Sequence, residues 1–180
     1  MPLFFIIRRV IWLIILSDID EVLYSLIDEG IEIYNKKYNK QLKPSDITEY
    51  TVSKELLECM GEVNYIRGDK DNSVKHIKEL IAMGHDVYLI TASMKENLID
   101  KIKWVERHLP EIGYEKMIIC KNKHLVHGDV LIDDYEWNII GHPAKYKFLV
   151  DAPHNKHVLE SDRIIRVKDL SNVVEFLRGV

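Results

Sequence analysis

Residues Val10 to Leu16 form an unbroken apolar run, rich in β-branched and aromatic types, and the run leads into Asp18 and Asp20. A stretch that is apolar at every position predicts a strand covered on both faces, as in a parallel sheet. From Val22 to Tyr38 the period changes. Val22, Leu23, Leu26, Ile27, Ile31 and Tyr34 recur at the spacing of one helix face. A polar break follows from Asn35 to Asp46, in which Ser45 or Asp46 can cap what comes next. Thr51 to Met60 predicts a short helix, and Gly61 to Asp71 a loop. Asn72 to Ala82 is amphipathic through Val74, Ile77, Leu80 and Ile81, with Gly84 as its C-terminal cap. Asp86 to Ile90 is a second buried strand that runs into Thr91-Ala92-Ser93. A helix from Glu96 to His108 closes at Leu109-Pro110. Further strands are predicted at Lys116 to Cys120, Asp129 to Ile132 and Tyr146 to Val150.

Strands alternating with helices predict an α/β fold: one parallel sheet of about five strands, flanked by helices and joined by right-handed crossovers. Only residues 24–68 interrupt the alternation, as a small helical insertion after the first strand. Residues 1–23 and 69–180 are then the body.

Composition narrows the class. A chain of 180 residues fits one domain with a small insertion. Its 47% hydrophobic and 30% charged content is that of a soluble globular protein. A net charge of −4 without a long basic run argues against nucleic acid as a partner. Cys59 and Cys120 lack metal-ligand spacing and are read as reduced, buried thiols, which fits a cytoplasmic protein. The apolar N-terminus is shorter than the ~20 residues of a membrane span, with Arg8 and Arg9 near its middle. Nor does it carry the small-residue cleavage site of a signal peptide. Leu3 to Ile7 is expected to pack on the body, add an edge strand or meet a partner; a homodimer stays open beside a monomer.

The chemistry lies at the strand ends. Four predicted strands deliver Asp18 and Asp20, then Thr91, then Lys123, then Asp133 and Asp134 just past their C-terminal ends. In a parallel sheet those ends share one edge, where ligands bind. Carboxylates crowded together repel unless a cation or a shared proton compensates. Acids, a hydroxyl and a lysine together suit Mg²⁺ and a phosphate group. Taken alone, Asp-x-Asp is equally a solvated loop with one acid capping the next helix.

The stretches S-D-I-D-E-V-L, Y-L-I-T-A-S, N-K-H-L-V-H-G-D-V-L-I-D-D and D-A-P-H-N together resemble the haloacid dehalogenase-like phosphatases. They are most similar to the 5′(3′)-deoxyribonucleotidase branch and its uncharacterised bacterial relatives. The most specific element is L-I-D-D with a lysine ten residues before its first Asp. The resemblance implies a Rossmann-like core with residues 24–68 as a small helical cap, and hydrolysis of a small phosphomonoester, most of all a nucleoside monophosphate. It implies Asp18 as nucleophile, through an aspartyl phosphate. Asp20 would be the general acid and base, its carbonyl also binding Mg²⁺. Thr91 and the Ala92 amide would hold phosphate oxygens, and Lys123 would neutralise phosphate and Asp18 together. Asp134 would ligate Mg²⁺, with Asp133 as support. Lys95 sits where the branch often has a substrate-reaching lysine, and is equally a solvated lysine at a helix start.

Two departures stand out. Glu21 occupies the place after the second Asp where many members have glycine, and V-L-Y-S lacks an acid that the branch has there. Tyr50 and Tyr65 are candidates for stacking a base, against ordinary packing. Three other readings remain open: a phosphatase for a non-nucleotide metabolite, a non-catalytic binding protein on the same fold, and a phospho-receiver domain, whose motif order differs. His124, His127, His154 and His157 lack cysteine partners, which favours solvated or structural roles over zinc.

Overall fold

A computed structural model describes residues 12–47, 52–161 and 163–180. The segment Leu3 to Ile7, the start of the first predicted strand and Tyr50 lie outside the described residues. The strands are β1 (Ile14–Ser17), β2 (Asp86–Thr91), β3 (Met117–Ile119), β4 (Val130–Asp133), β5 (Tyr146–Val150) and β6 (Ile165–Val167). They form one sheet in the order β3-β2-β1-β4-β5-β6, and every pairing is parallel. The sequence predicts about five strands; the sixth, β6, is a three-residue edge strand too short to carry a periodic signal.

The apolar run at β1 has the reason expected of it. Ile15 belongs to a core cluster with Val87, Val130 and Phe148, while its neighbour Leu16 belongs to a second cluster with Ile90, Leu131 and Leu149. Side chains alternate along a strand, so these clusters lie on opposite faces of the sheet, and both positions must be apolar.

The helices are α1 (Leu26–Tyr38), α2 (Lys54–Gly61), α3 (Ser73–Ala82), α4 (Leu98–His108), α5 (Glu136–Ile140) and α6 (Leu170–Arg178). Two of them, α5 and α6, were not anticipated. Ser53 caps α2 by accepting a hydrogen bond from the Leu56 amide at 3.2 Å. Residues 44–46 form an isolated 3-10 turn rather than a helix cap, and there Asp46 accepts from the Lys43 amide. Gly84, at φ 90°, takes the left-handed conformation that ends α3.

The largest difference from the sequence reading is at residues 19–25. The apolar pair Val22-Leu23 is not the first turn of a helix. The Leu23 and Tyr24 amides both donate to the Ile19 carbonyl, the Glu21 amide donates to the Tyr24 carbonyl, and α1 begins only at Leu26. Val22 and Leu23 are buried by this folded turn, so their hydrophobicity reflects core packing and not helical period. Cys59 is buried as expected, whereas Cys120 is only half-buried; both are free thiols.

His85 and His142 are buried off the cleft described below, and burial lowers both pKa values below the ordinary 6.5. Neither ring nitrogen of His85 has a hydrogen-bond partner among the described residues. The unfolded chain therefore takes up protons on these rings at higher pH than the folded chain does. Their contribution is present in full above about pH 6.5 and is lost as the pH falls from there towards the folded-state values, by at most ~1.4 kcal/mol per pH unit per group. His85→Phe is expected to flatten the dependence of denaturation midpoint on pH between 7 and 5. An unchanged slope would refute that origin.

Candidate active site

The register of the sheet assembles the site. Ser17 pairs with Leu89 on one side and Ile132 on the other, so the next residue, Asp18, comes level with the ends of β2 and β4. The Asp18 amide donates to the Ile132 carbonyl at 2.9 Å and anchors that edge. Lys123 lies in a 3-10 turn after β3 and is fully buried. Its ammonium bonds the Asp18 carboxylate at 2.7 Å and the Asp133 carboxylate at 2.6 Å. Asp18, Asp133 and Asp134, all buried, each offer an oxygen within 4.8 Å of the others.

The three acids are not equivalent. Both Asp133 oxygens are saturated: one accepts from the Tyr135 amide, the other from Lys123, and the Asn138 side-chain amide reaches both at 3.1 Å. Asp133 is thus an anchor for Lys123 and for the turn into α5. Asp18 accepts from the Ile19 amide at 2.8 Å through one oxygen and from Lys123 through the other. Asp134 meets the His154 ring at 2.9 Å through one oxygen, and its carbonyl accepts from the Asn155 side chain at 2.7 Å. Burial pushes the Asp18 carboxyl well above the usual carboxylate range; Lys123 opposes this, and the neighbouring acids Asp133, Asp20 and Asp134 add to it. Burial raises Asp133 as well. At Lys123 burial works against the charge, but Asp133 and Asp18 outweigh it and hold the ammonium above its usual range. His154 is likewise raised, burial being outweighed by Asp134.

Asp20 is gripped separately. Its two oxygens accept from the Tyr65 hydroxyl and from the Lys101 ammonium, each at 2.6 Å. Lys101 also donates to the Thr91 hydroxyl at 3.0 Å. Glu21 sits at φ 57°, in the left-handed region that glycine enters freely and that strains other residues by about 1–2 kcal/mol. The strain is offset locally: its carboxylate accepts from the Ile27 amide at 2.7 Å, and Lys70 donates to its carbonyl at 2.6 Å. Burial, partly opposed by Lys70, pushes the Glu21 carboxyl up to about 7.

These groups open onto a cleft of about 490 Å³. Asp18, Asp20, Glu21, Ala92, Lys123, Asp134, His154 and Asn155 line it together with the aliphatic Leu26, Ile27, Ile47, Val52 and Leu57, and with Tyr135, Glu136 and Asn138 of the α5 segment. Carboxylates outnumber the cations in the lining. A phosphate dianion entering such a cleft needs a further cation to compensate it. The donor set is all hard oxygen, and Asp18 and Asp134 are the acids with coordination capacity left, so the residues fit a hard divalent ion.

Of the residues singled out from the sequence, Asp18, Asp20, Ala92, Lys123 and Asp134 line the cleft; Thr91 is fully buried outside the lining, its hydroxyl taken by Lys101, and Asp133 lies behind Lys123. Lys95 is exposed and is not among the lining residues. Tyr65 does not face the cleft as a stacking platform; it is buried against Tyr24, ring centroids 4.5 Å apart, with its hydroxyl on Asp20. Sequence reasoning missed Lys101, Asn138, and the grip of His154 and Asn155 on Asp134. Lys101 did leave a signal: it shares the buried face of α4 with Trp104 and Val105, where an unpaired lysine would be costly. No histidine belongs to a metal-competent cluster among the described residues.

Residues 12–178 match the family described as 5′ nucleotidase, deoxy (Pyrimidine), cytosolic type C protein. The chain is 31% identical over 162 residues to a 5′(3′)-deoxyribonucleotidase of Clostridium acetobutylicum, covering 84% of this chain and 87% of that one. It is 27% identical over 173 residues to a protein of the same name from Bacillus subtilis, covering 89% and 95%. Its fold is similar to the crystal structure of a haloacid dehalogenase family hydrolase from Deinococcus radiodurans R1 with bound phosphate and sodium. That match has a TM-score of 0.62 at 14% identity over 93% of this chain and 96% of that one.

Proposed function

The chain belongs to the 5′ nucleotidase, deoxy (pyrimidine), cytosolic type C family, and from that membership we propose that it is a Mg²⁺-dependent 5′(3′)-(deoxy)ribonucleotidase working through an aspartyl phosphate. Family and relatives make it a phosphoric monoester hydrolase of the haloacid dehalogenase fold. The observation that carries the finer reading is the buried cluster of Asp18, Asp133 and Asp134 with Lys123 bonded into it.

In this reading Asp18 attacks phosphorus through a carboxylate oxygen, and the bond to the sugar oxygen breaks. The departing electron pair stays on that oxygen, which takes a proton from Asp20. Water then attacks the aspartyl phosphate, gives its proton to Asp20, and Asp18 is regenerated. Lys123 neutralises Asp18 and a phosphate oxygen, while Thr91 and the Ala92 amide hold the others. Asp18, Asp134 and the Asp20 carbonyl would hold Mg²⁺, which when bound compensates the phosphate charge that the acidic cleft otherwise repels.

Residues 24–68, which contain α1 and α2, serve as a cap on a body made of 1–23 and 69–180. Their aliphatic residues Leu26, Ile27, Ile47, Val52 and Leu57 give the sugar and base an apolar wall, and Tyr135 adds an aromatic ring to the same lining. Such a surface rewards burial at about 25 cal/mol per Å². By family membership the enzyme acts on small nucleoside monophosphates, with deoxypyrimidine ones preferred, and it works in the cytoplasm.

The test compares kcat/KM for thymidine monophosphate, uridine monophosphate and a hexose phosphate, with Mg²⁺ and with a chelator. We expect the nucleotides to lead and the chelator to stop turnover. A hexose phosphate turned over best would sink the nucleotidase reading, and turnover in chelator would sink the metal.

A further inference from the structure

Among the described residues Lys101 and Tyr65 are, with Trp104, Tyr24 and Lys123, the largest fully buried side chains that carry a polar group, and both point at one carboxyl group. An ammonium taken out of water costs several kcal/mol unless it is paired and hydrogen-bonded. Lys101 meets that condition through Asp20 at 2.6 Å and Thr91 at 3.0 Å, and its ammonium lies 5.4 Å from the centre of the Tyr65 ring. The Tyr65 ring packs on Tyr24, and the hydroxyl bonds the other Asp20 oxygen at 2.6 Å. Tyr24 is in turn bridged to Asp20 through the backbone. Both carboxyl oxygens of Asp20 are thus fixed by side chains from separate elements, α4 and the loop before α3, while Asp20 still lines the cleft.

We infer that Tyr65 and Lys101 are positioning residues: they lock the rotation of the Asp20 carboxyl so that it meets the leaving oxygen, and Lys101 ties that orientation to the Thr91 hydroxyl. The inference rests on the role given to Asp20 above. Two donors on one carboxyl remove the torsional freedom that would otherwise be lost in the transition state, an effect worth orders of magnitude when a proton must be delivered to a defined atom. Neither residue is among those lining the cleft, and both are fully buried, so their contribution runs through Asp20.

The test varies the leaving group. Thymidine 5′-monophosphate expels an alkoxide and needs a proton from Asp20, whereas p-nitrophenyl phosphate expels a stable phenolate and does not. Tyr65→Phe removes one oxygen and keeps the ring that packs on Tyr24. It is expected to lower kcat/KM for the nucleotide, which reports the leaving-group step and not the later attack of water, about tenfold or more, with kcat/KM for p-nitrophenyl phosphate within about threefold. Lys101→Met should show the same split. In an Asp20→Asn background, Tyr65→Phe should cost nothing further, because the group it orients is gone. Equal losses of kcat/KM on both substrates, an unchanged nucleotide kcat/KM, or additive losses in the double variant would each overturn the inference. Should Lys101→Met not fold, Tyr65→Phe decides alone. A wild-type protein that releases phosphate from neither substrate with Mg²⁺ would bring down the phosphatase reading and this inference with it, a result distinct from any pattern among the variants.

Discussion

Asp18→Asn is expected to reduce phosphate release below detection while the protein stays folded. The amide has nearly the shape of the carboxylate, so the Ile19 amide and Lys123 keep a neighbour of the same size. It is not a nucleophile, and the covalent route is closed. Stability should change little. The variant loses a charged partner for Lys123, but it also relieves a carboxylate whose burial and acidic neighbours already disfavour its charge. The measurement pairs phosphate release with a thermal melt, and adds beryllium fluoride, which should bind the wild type as an acyl-phosphate mimic and spare the variant. An Asp18→Asn protein with substantial turnover would overturn the mechanism.

Lys123→Met should be the most damaging single change, because it strikes activity and stability together. The side chain is fully buried, and its removal leaves the Asp18 and Asp133 carboxylates with amide donors but without a cation between them. Breaking one partner out of a buried ion pair typically costs about 3–5 kcal/mol, a large share of the ~5–15 kcal/mol that holds a domain together. Activity should vanish as well, since the charge that joins nucleophile and phosphate is gone. The double variant Lys123→Met/Asp133→Asn separates the effects. Removing one of the two orphaned charges should return part of the stability in urea denaturation and none of the activity. Recovery of turnover in the double variant would show that Lys123 serves only to hold the fold.

The turn at residues 19–25 shows how a departure in sequence acquires a physical account. Glu21 brings a side chain into a backbone conformation that favours glycine, and it adds a carboxylate beside Asp20. Lys70, in the loop before α3, contacts this turn at three points. Its ammonium bonds the Glu21 carbonyl, the same ammonium lies 3.6 Å from the Glu21 carboxylate, and its amide donates to the Leu23 carbonyl. Glu21 and Lys70 therefore tie the turn after β1 to the loop before α3.

Much of this protein is determined locally and could be read from the chain. Continuous apolar runs at β1, β2 and β4 specify buried parallel strands because both faces must be covered, and polar groups placed just past those runs converge on one edge of the sheet. That is why Asp18, Asp20, Lys123 and Asp134 were legible before any coordinates, and why the fold class was too. The short edge strand β6 and the five-residue helix α5 were not, because neither spans enough residues to express a period. Only the tertiary structure could decide what long-range contacts decide. Tyr65 is 45 residues from Asp20 and Lys101 is 81, and no spacing rule links residues so far apart. Asp133 and Asp134 are adjacent in sequence, yet one is saturated by Lys123, Asn138 and an amide while the other faces the cleft. Neighbouring side chains on a strand end point to opposite sides, and which side holds solvent and which holds lysine is settled by the packing of the rest of the chain.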